Sequence, residues 1–366
     1  MKKIGILTIP RADNYGSVLQ AFAVQKFIDN ICNDNEMIDF VPRYIKGRYP
    51  LLFINNNSRL KRIVSILKQL PSIQYRITKK KRFEEFRKNI RFSERTIFDP
   101  NKIKKYSIIV VGSDQLWNTR ITNYEESFFL DFANKRTKKI AFSISFGYSD
   151  RTPEEIEFYK KKIKKFDYIS VREEQDLDFV KSINKRNVEN LLDPTLLVDK
   201  NIWYKFIKPN YKKTKYILIY TFKNYNTFGS IVNKVKQITG LNVLRIDLEN
   251  GIRLKDNNGF KYVKKVGPIE FLNLIFNSSL VITDSYHGTC FSIIFEKNFY
   301  TIPYEGTENR MISLLSKLNL QGRIIKDFND IKSNSQSIDY DIVNEIIKAE
   351  SEKAMTFMSR ALNSVC

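Results

Sequence analysis

Residues 280–303 read LVITDSYHGTCFSIIFEKNFYTIP, in which LVIT (280–283) and FYTIP (299–303) are short apolar runs separated by a polar turn and a buried helical stretch. Strand, turn, helix and strand in that order predict a parallel pair, because parallel neighbours need a long crossover to return the chain to its starting edge. The turn contains His287, the only histidine of the 366 residues. Whether it does chemistry depends on where the fold puts it.

The same alternation continues on both sides of this unit. Downstream of residue 215, YILIYTF (216–222) and NVLRI (242–246) read as strands, a helix over 228–239 stops at Gly240, and Pro268 opens the helix before LVIT. Toward the N-terminus, strands are expected at 3–9, 107–111, 139–145, 168–171 and 189–192. Between them, Val18, Ala21, Phe22, Val24, Gln25 and Ile28 fall at helical spacing, and Thr152-Pro153-Glu154-Glu155 carries a cap, a first-turn proline and an early glutamate. Polar, aperiodic residues at 199–215 divide the two sets. The expected fold is therefore α/β, with two Rossmann-like doubly wound domains over 1–205 and 206–366 facing across a cleft. A basic helical insertion (41–95) interrupts the first domain and an amphipathic helix (338–362) ends the second. The insertion reads either as a packed helix with solvated lysines or as a membrane-surface helix.

Lys and Arg outnumber Asp and Glu by 62 to 40, a formal charge of +22 that draws phosphorylated small molecules, anionic lipid or nucleic acid, although solvated lysine alone also accounts for it. The basic stretches match no helix-turn-helix or RNA-recognition signature, so no nucleic-acid partner is expected. Three cysteines without a Cys-x-x-Cys pair predict neither a disulfide framework nor a zinc site. No window reaches the ~18 apolar residues that would span a bilayer. The N-terminal apolar run ends at Pro10, Arg11 and Asp13 instead of a cleavage site, and reads as a first strand. A cytoplasmic protein is expected, with any membrane contact peripheral at the inner face.

Ligands of open parallel sheets bind at the carboxyl ends of the strands. Nearly every polar or glycine-bearing cluster falls there: Asn14-Tyr15-Gly16 after the first strand, Ser113-Asp114-Gln115 after the second, and Arg172 after 168–171. DPT follows 189–192, and in the second domain Ser285-Tyr286-His287-Gly288 follows LVIT while Arg310 lies beyond FYTIP. Asn14 to Gly16 form either an anion-binding helix start or a plain N-cap. Arg172 needs a carboxylate or phosphate partner, and Glu173 and Glu174 are candidates for a structural one. An imidazole at a strand-to-helix turn suits acid–base chemistry near neutral pH. One histidine builds no histidine-rich metal site, and the Gly-x-Ser-x-Gly and Gly-x-x-x-x-Gly-Lys patterns are absent.

In order, DNYGSVLQAFAVQ, VVGSDQLWN, AFSISFG, YISVREE, LLDPTLL and VITDSYHGTCFSIIF resemble the polysaccharide pyruvyl transferase family across residues 4–325. The resemblance implies the GT-B arrangement of two Rossmann-type domains. It also implies transfer of an enolpyruvyl or pyruvate-ketal group from phosphoenolpyruvate to hydroxyls of a bacterial surface glycan or its lipid-linked precursor, with no cofactor beyond that donor. By position, His287 matches the family's general acid–base histidine, and Arg172 the arginine that holds donor phosphate or carboxylate. Many members read Arg-Leu-His where this chain reads Ser285-Tyr286-His287, and Arg310 is the candidate to restore the missing charge. The rival readings are a GT-B glycosyltransferase using a nucleotide sugar and a non-enzymatic protein that binds nucleic acid or membrane.

Overall fold

A computed structural model describes residues 4–42, 44–45, 59–103, 106–208, 214–222, 228–248, 260–303, 308–331 and 337–363. Six strands form the first sheet: β1 (Ile4–Leu7), β2 (Asn35–Met37), β3 (Ile108–Asp114), β4 (Lys138–Ile144), β5 (Tyr168–Val171) and β6 (Val188–Asn190). Five form the second: β7 (Tyr216–Tyr220), β8 (Asn242–Ile246), β9 (Lys261–Val263), β10 (Leu280–Thr283) and β11 (Asn298–Thr301). The orders are β2-β1-β3-β4-β5-β6 and β11-β10-β7-β8-β9, every pair parallel. Helices cover both faces, so the inner strands are buried throughout, as along Ile108–Val111 and Tyr216–Tyr220. That two-sided burial is why these strands appear in the sequence as unbroken apolar runs.

The two strands absent from the sequence reading, β2 and β9, are three-residue edges reading NEM and KYV, too short and polar for a periodic signal. The helix Tyr15–Asp29 begins with Asn14 as its cap. Thr152 and Glu155 form a reciprocal capping box on Pro153–Ile163, and Gly240 adopts the left-handed conformation (φ 64°) that ends Gly229–Thr239.

Among the connections that link the halves are two helices. The terminal helix Tyr340–Leu362, counted with the second domain from its chain position, also returns to the first: Lys353 donates to Asn190 O (3.0 Å), Ser351 to Leu197 O (3.2 Å), and Phe357 meets Tyr168 edge to face. An apolar stripe shows that a helix docks but not on what. In the basic insertion, the helix Arg59–Arg87 buries Phe83 and Phe86; Arg87 donates to Pro10 O and Ala12 O and pairs with Asp13. Its neighbour Arg82 bonds Lys265 O and pairs with Glu270 (3.3 Å) of the second half. The described end of this helix is thus a packed bridge between domains; residues 46–58 of the insertion lie outside the described residues. Among the described residues no helix is long and apolar enough to cross a membrane. Cys290 is free and buried.

Candidate active site

Each sheet has a point at which successive connections leave in opposite directions, between β1 and β3 in the first and between β7 and β10 in the second. Crevices open at the carboxyl ends of such strands. Here the two crevices face each other, and residues after β1, β3, β5 and β6 meet residues after β10.

Helix Tyr15–Asp29 from one domain and helix Tyr286–Ile294 from the other approach by their N-termini. A Cβ on Gly16 would overlap His287 Nδ1 and stand 2.8 Å from its Cγ. Glycine is therefore required at position 16 by the imidazole of the opposite domain. His287 itself is only 7% exposed.

The polar centre of the junction is Asp193, fully buried as the cap of Pro194–Leu197. Its Oδ1 accepts from Thr195 N (3.0 Å) and Thr195 Oγ1 (2.8 Å); its Oδ2 accepts from Ser113 Oγ (3.0 Å) and Arg172 Nη1 (3.1 Å). His287 Nε2 faces the same oxygen at 3.6 Å, longer than a hydrogen bond, and has no hydrogen-bond partner among the described residues. Burial alone would lift the Asp193 pKa, but His287, Arg172 and the Thr195 N–H outweigh it and hold the carboxyl well below its usual range.

Arg172 is 1% exposed in its side chain. Its Nε donates to Glu173 Oε1 (2.9 Å), Nη1 lies 3.5 Å from Asp114 Oδ1, and the guanidinium covers the Tyr286 ring at 4.0 Å. Burial opposes its charge, and Glu173, Tyr286, Asp193 and Asp114 overcome that opposition, raising its pKa well above the ordinary value. Nη2 is buried without a hydrogen-bond partner among the described residues, as is Glu173 Oε2. Serines tie the strand ends together around this pair. β4 shifts register between Ala141 and Ile144, Ser143 sits there at φ 46° with Oγ donating to Leu192 O (2.7 Å), and Ser145 Oγ donates to Glu173 Oε1 (2.9 Å).

The structure brings together Gly16, Ser113, Asp114, Arg172, Tyr286 and His287 of the residues expected at the site. Others have structural duties. Asn14 and Ser285 cap their helices, accepting from Ser17 N (3.2 Å) and Gly288 N (3.3 Å). Tyr15, expected to bind substrate, is stacked between Phe83 and Phe271 at centroid distances of 5.4 and 4.6 Å, and its hydroxyl donates to Val266 O (3.1 Å). Gln115 accepts from Asn118 Nδ2 (2.9 Å) beside Gly147, and Gly288 packs against Tyr220. Arg310 is buried in Glu308–Lys317, the helix whose Ser313 accepts from Glu174 N (3.0 Å); residues 304–307 of its loop lie outside the described residues. Asp193 was not among the expected site residues. Its sequence signals were the DPT that follows 189–192 at the expected ligand edge and the LLDPTLL stretch of the family resemblance, but neither singled out Asp193.

A model of the polysaccharide pyruvyl transferase family matches residues 14–306, most of the chain and all of the junction residues. The chain belongs to the polysaccharide pyruvyl transferase family. No curated protein sequence matches it significantly. Among solved structures, UDP-GlcNAc 2-epimerase from Neisseria meningitidis bound to UDP-GlcNAc is similar with TM-score 0.52 and 13% identity, covering 100% of both chains. The S. aureus MnaA–UDP co-structure gives TM-score 0.52 and 13% identity over 100% of this chain and 98% of the other. Such likeness speaks for the fold alone: this pyruvyl transferase family member has two Rossmann-like domains facing each other in the GT-B manner.

Proposed function

We propose that the protein transfers the pyruvyl group of phosphoenolpyruvate to two hydroxyls of a sugar acceptor, leaving a cyclic ketal on a bacterial surface polysaccharide or its precursor. One observation carries this reading beyond the family name: Arg172 Nη2 is buried, polar and without a hydrogen-bond partner among the described residues, at a closed junction of two sheet edges. An unmet buried donor costs about 1–3 kcal/mol. Such a cost is tolerated where a ligand supplies the missing acceptor, and the donor's carboxylate and phosphate are rich in acceptors. Two of Arg172's three nitrogens already serve Glu173 and Asp193, so its direct share in holding the donor is limited to Nη2.

In the proposed reaction His287 protonates the methylene carbon of the enol as a sugar hydroxyl attacks C2. The C–O bond to phosphate breaks, the phosphate leaves with the bond's electrons, and a second hydroxyl attacks the same carbon. One hydroxyl proton replaces the one His287 gave and the other leaves with phosphate, so the overall products are a methyl-bearing ketal and inorganic phosphate. Arg172 offsets the negative charge that gathers on the leaving group. The donor is a substrate, and the scheme draws on no further cofactor.

The same reading assigns the protein to the cytoplasm, with its +22 charge drawn to anionic lipid at the inner membrane face. Incubation of the purified protein with phosphoenolpyruvate and candidate glycans tests the reaction. Phosphate release with a new ketal methyl resonance supports it. Nucleoside diphosphate release from a nucleotide sugar, with phosphoenolpyruvate untouched, overturns it in favour of glycosyl transfer.

A further inference from the structure

We propose that Asp193 is the positioning residue of His287: it holds Nε2, and so makes Nδ1, the nitrogen beside Gly16, the atom that exchanges the proton. The inference rests on His287 being the acid–base residue.

The carboxylate is suited to the task because it cannot turn away. Thr195 fixes one oxygen through two donors, while Ser113 and Arg172 fix the other. The open direction of Oδ2 is toward His287 Nε2, 3.6 Å away. On the opposite side of the ring, Nδ1 packs against Gly16, so closely that a Cβ there would overlap it. Both nitrogens therefore face groups of the first domain although His287 belongs to the second. The arrangement is formed only where the two sheet edges meet.

The surrounding charges act in the same direction. Asp193 faces the ring directly, and behind it Arg172 is flanked by Glu173 and Asp114. Three carboxylates and one guanidinium therefore border the side of the ring that Nε2 occupies. On the histidine's own helix, burial pushes the Tyr286 hydroxyl and the Cys290 thiol upward, so both stay neutral. Asp284, before the helix, accepts from Phe222 N (2.9 Å). As the acid, His287 gives up the Nδ1 proton and is left neutral with its remaining proton on Nε2, pointing at Asp193. As the base it recovers the proton at Nδ1.

With one histidine in the chain, ¹⁵N-histidine labelling reports this ring alone. The expected result is a neutral imidazole carrying its proton on Nε2. In Asp193→Asn the ring's proton affinity falls about tenfold or more, since an opposite charge at this range typically shifts a titration by a unit or more. The alkaline limb of the turnover profile moves to lower pH with it. A neutral ring protonated on Nδ1 in the unmodified protein overturns the inference without any variant, and so does an unchanged titration in a folded Asp193→Asn. If the Nε2–H form and the titration shift are found but His287→Gln still turns over normally, the hold of Asp193 on the ring stands and the assignment of His287 as the acid fails.

Discussion

Two buried polar clusters, one inside the first domain and one at its junction with the second, differ in one respect. Around Trp117, Thr119 Oγ1 meets Tyr148 OH (2.6 Å), Tyr148 OH donates to Glu155 Oε1 (2.7 Å), and Tyr159 OH donates to Trp117 O (2.6 Å). All the buried side-chain polar atoms of Thr119, Tyr148, Glu155 and Tyr159 have partners. At the junction, Arg172 Nη2, Glu173 Oε2 and His287 Nε2 have none among the described residues. A network built for packing closes on itself, because an unmet polar group in low dielectric destabilises the fold. A network built to receive a ligand is left open at the ligand's position. The contrast predicts different outcomes for substitution: lost turnover at the junction, and lost stability with turnover unaltered around Trp117.

The largest effect is expected at His287→Gln. Glutamine keeps a polar side chain at the helix start but cannot exchange a proton, so turnover should fall about 10²–10⁴-fold, the usual share of general acid–base catalysis. The melting temperature should stay close to that of the parent. Near-normal turnover would break the comparison, because the open cluster would then have no catalytic consequence. Arg172→Lys is expected next. Lysine keeps the charge but not the planar fork that reaches Glu173 and Asp193 while covering Tyr286. Losing one hydrogen bond to a charged group costs about 1.5–3 kcal/mol, and urea titration should show a loss of that order together with reduced turnover.

How far these clusters were visible in the sequence follows from what writes a signal there. β3, β7 and β10 were legible because both of their faces are buried. His287 and Arg172 stood out as polar residues at the ends of such runs. The pairing of Asp193 with His287 was not legible, since residues 94 positions apart on different sheets leave no common pattern. Gly16 was legible as a glycine at a helix start, but the reason for it, an imidazole from the other domain, is visible only in three dimensions. Tyr15 shows the opposite error. A tyrosine at a predicted ligand edge belongs to an aromatic stack that holds the domains together, and nothing local separates the two uses.

The edge of the open cluster gives a smaller, pH-dependent test. Asp176, paired with Arg151, is pushed up to about 7 by burial and by Glu173, with Arg151 pulling the other way. Unfolded, an aspartate titrates near 3.9. The folded state therefore binds the proton more tightly; the resulting stabilisation is complete below about pH 4 and disappears as pH rises through 7. Asp176→Asn lacks this dependence. The stability of the parent minus that of the variant should fall by roughly 3 kcal/mol between pH 4 and 7. The constant cost of depriving Arg151 of its carboxylate cancels in that slope. A flat difference would place the carboxyl among ordinary ionised pairs and uncouple it from Glu173 of the open cluster.

The smallest effect belongs to the closed cluster and tests its half of the contrast. Tyr159→Phe removes one hydroxyl and leaves a ring of nearly the same shape among Phe129, Phe146 and Phe179. Trp117 O loses a donor, and Thr119 and Tyr148 keep each other. The expected loss is about 1 kcal/mol, seen as a lower denaturation midpoint at unchanged slope. Turnover should be unaltered, because no atom of this cluster is left open toward the junction. If Tyr159→Phe lowered turnover as much as Arg172→Lys, the closed network would be transmitting to the cleft, and the presence or absence of unmet polar atoms would no longer separate packing from function in this fold.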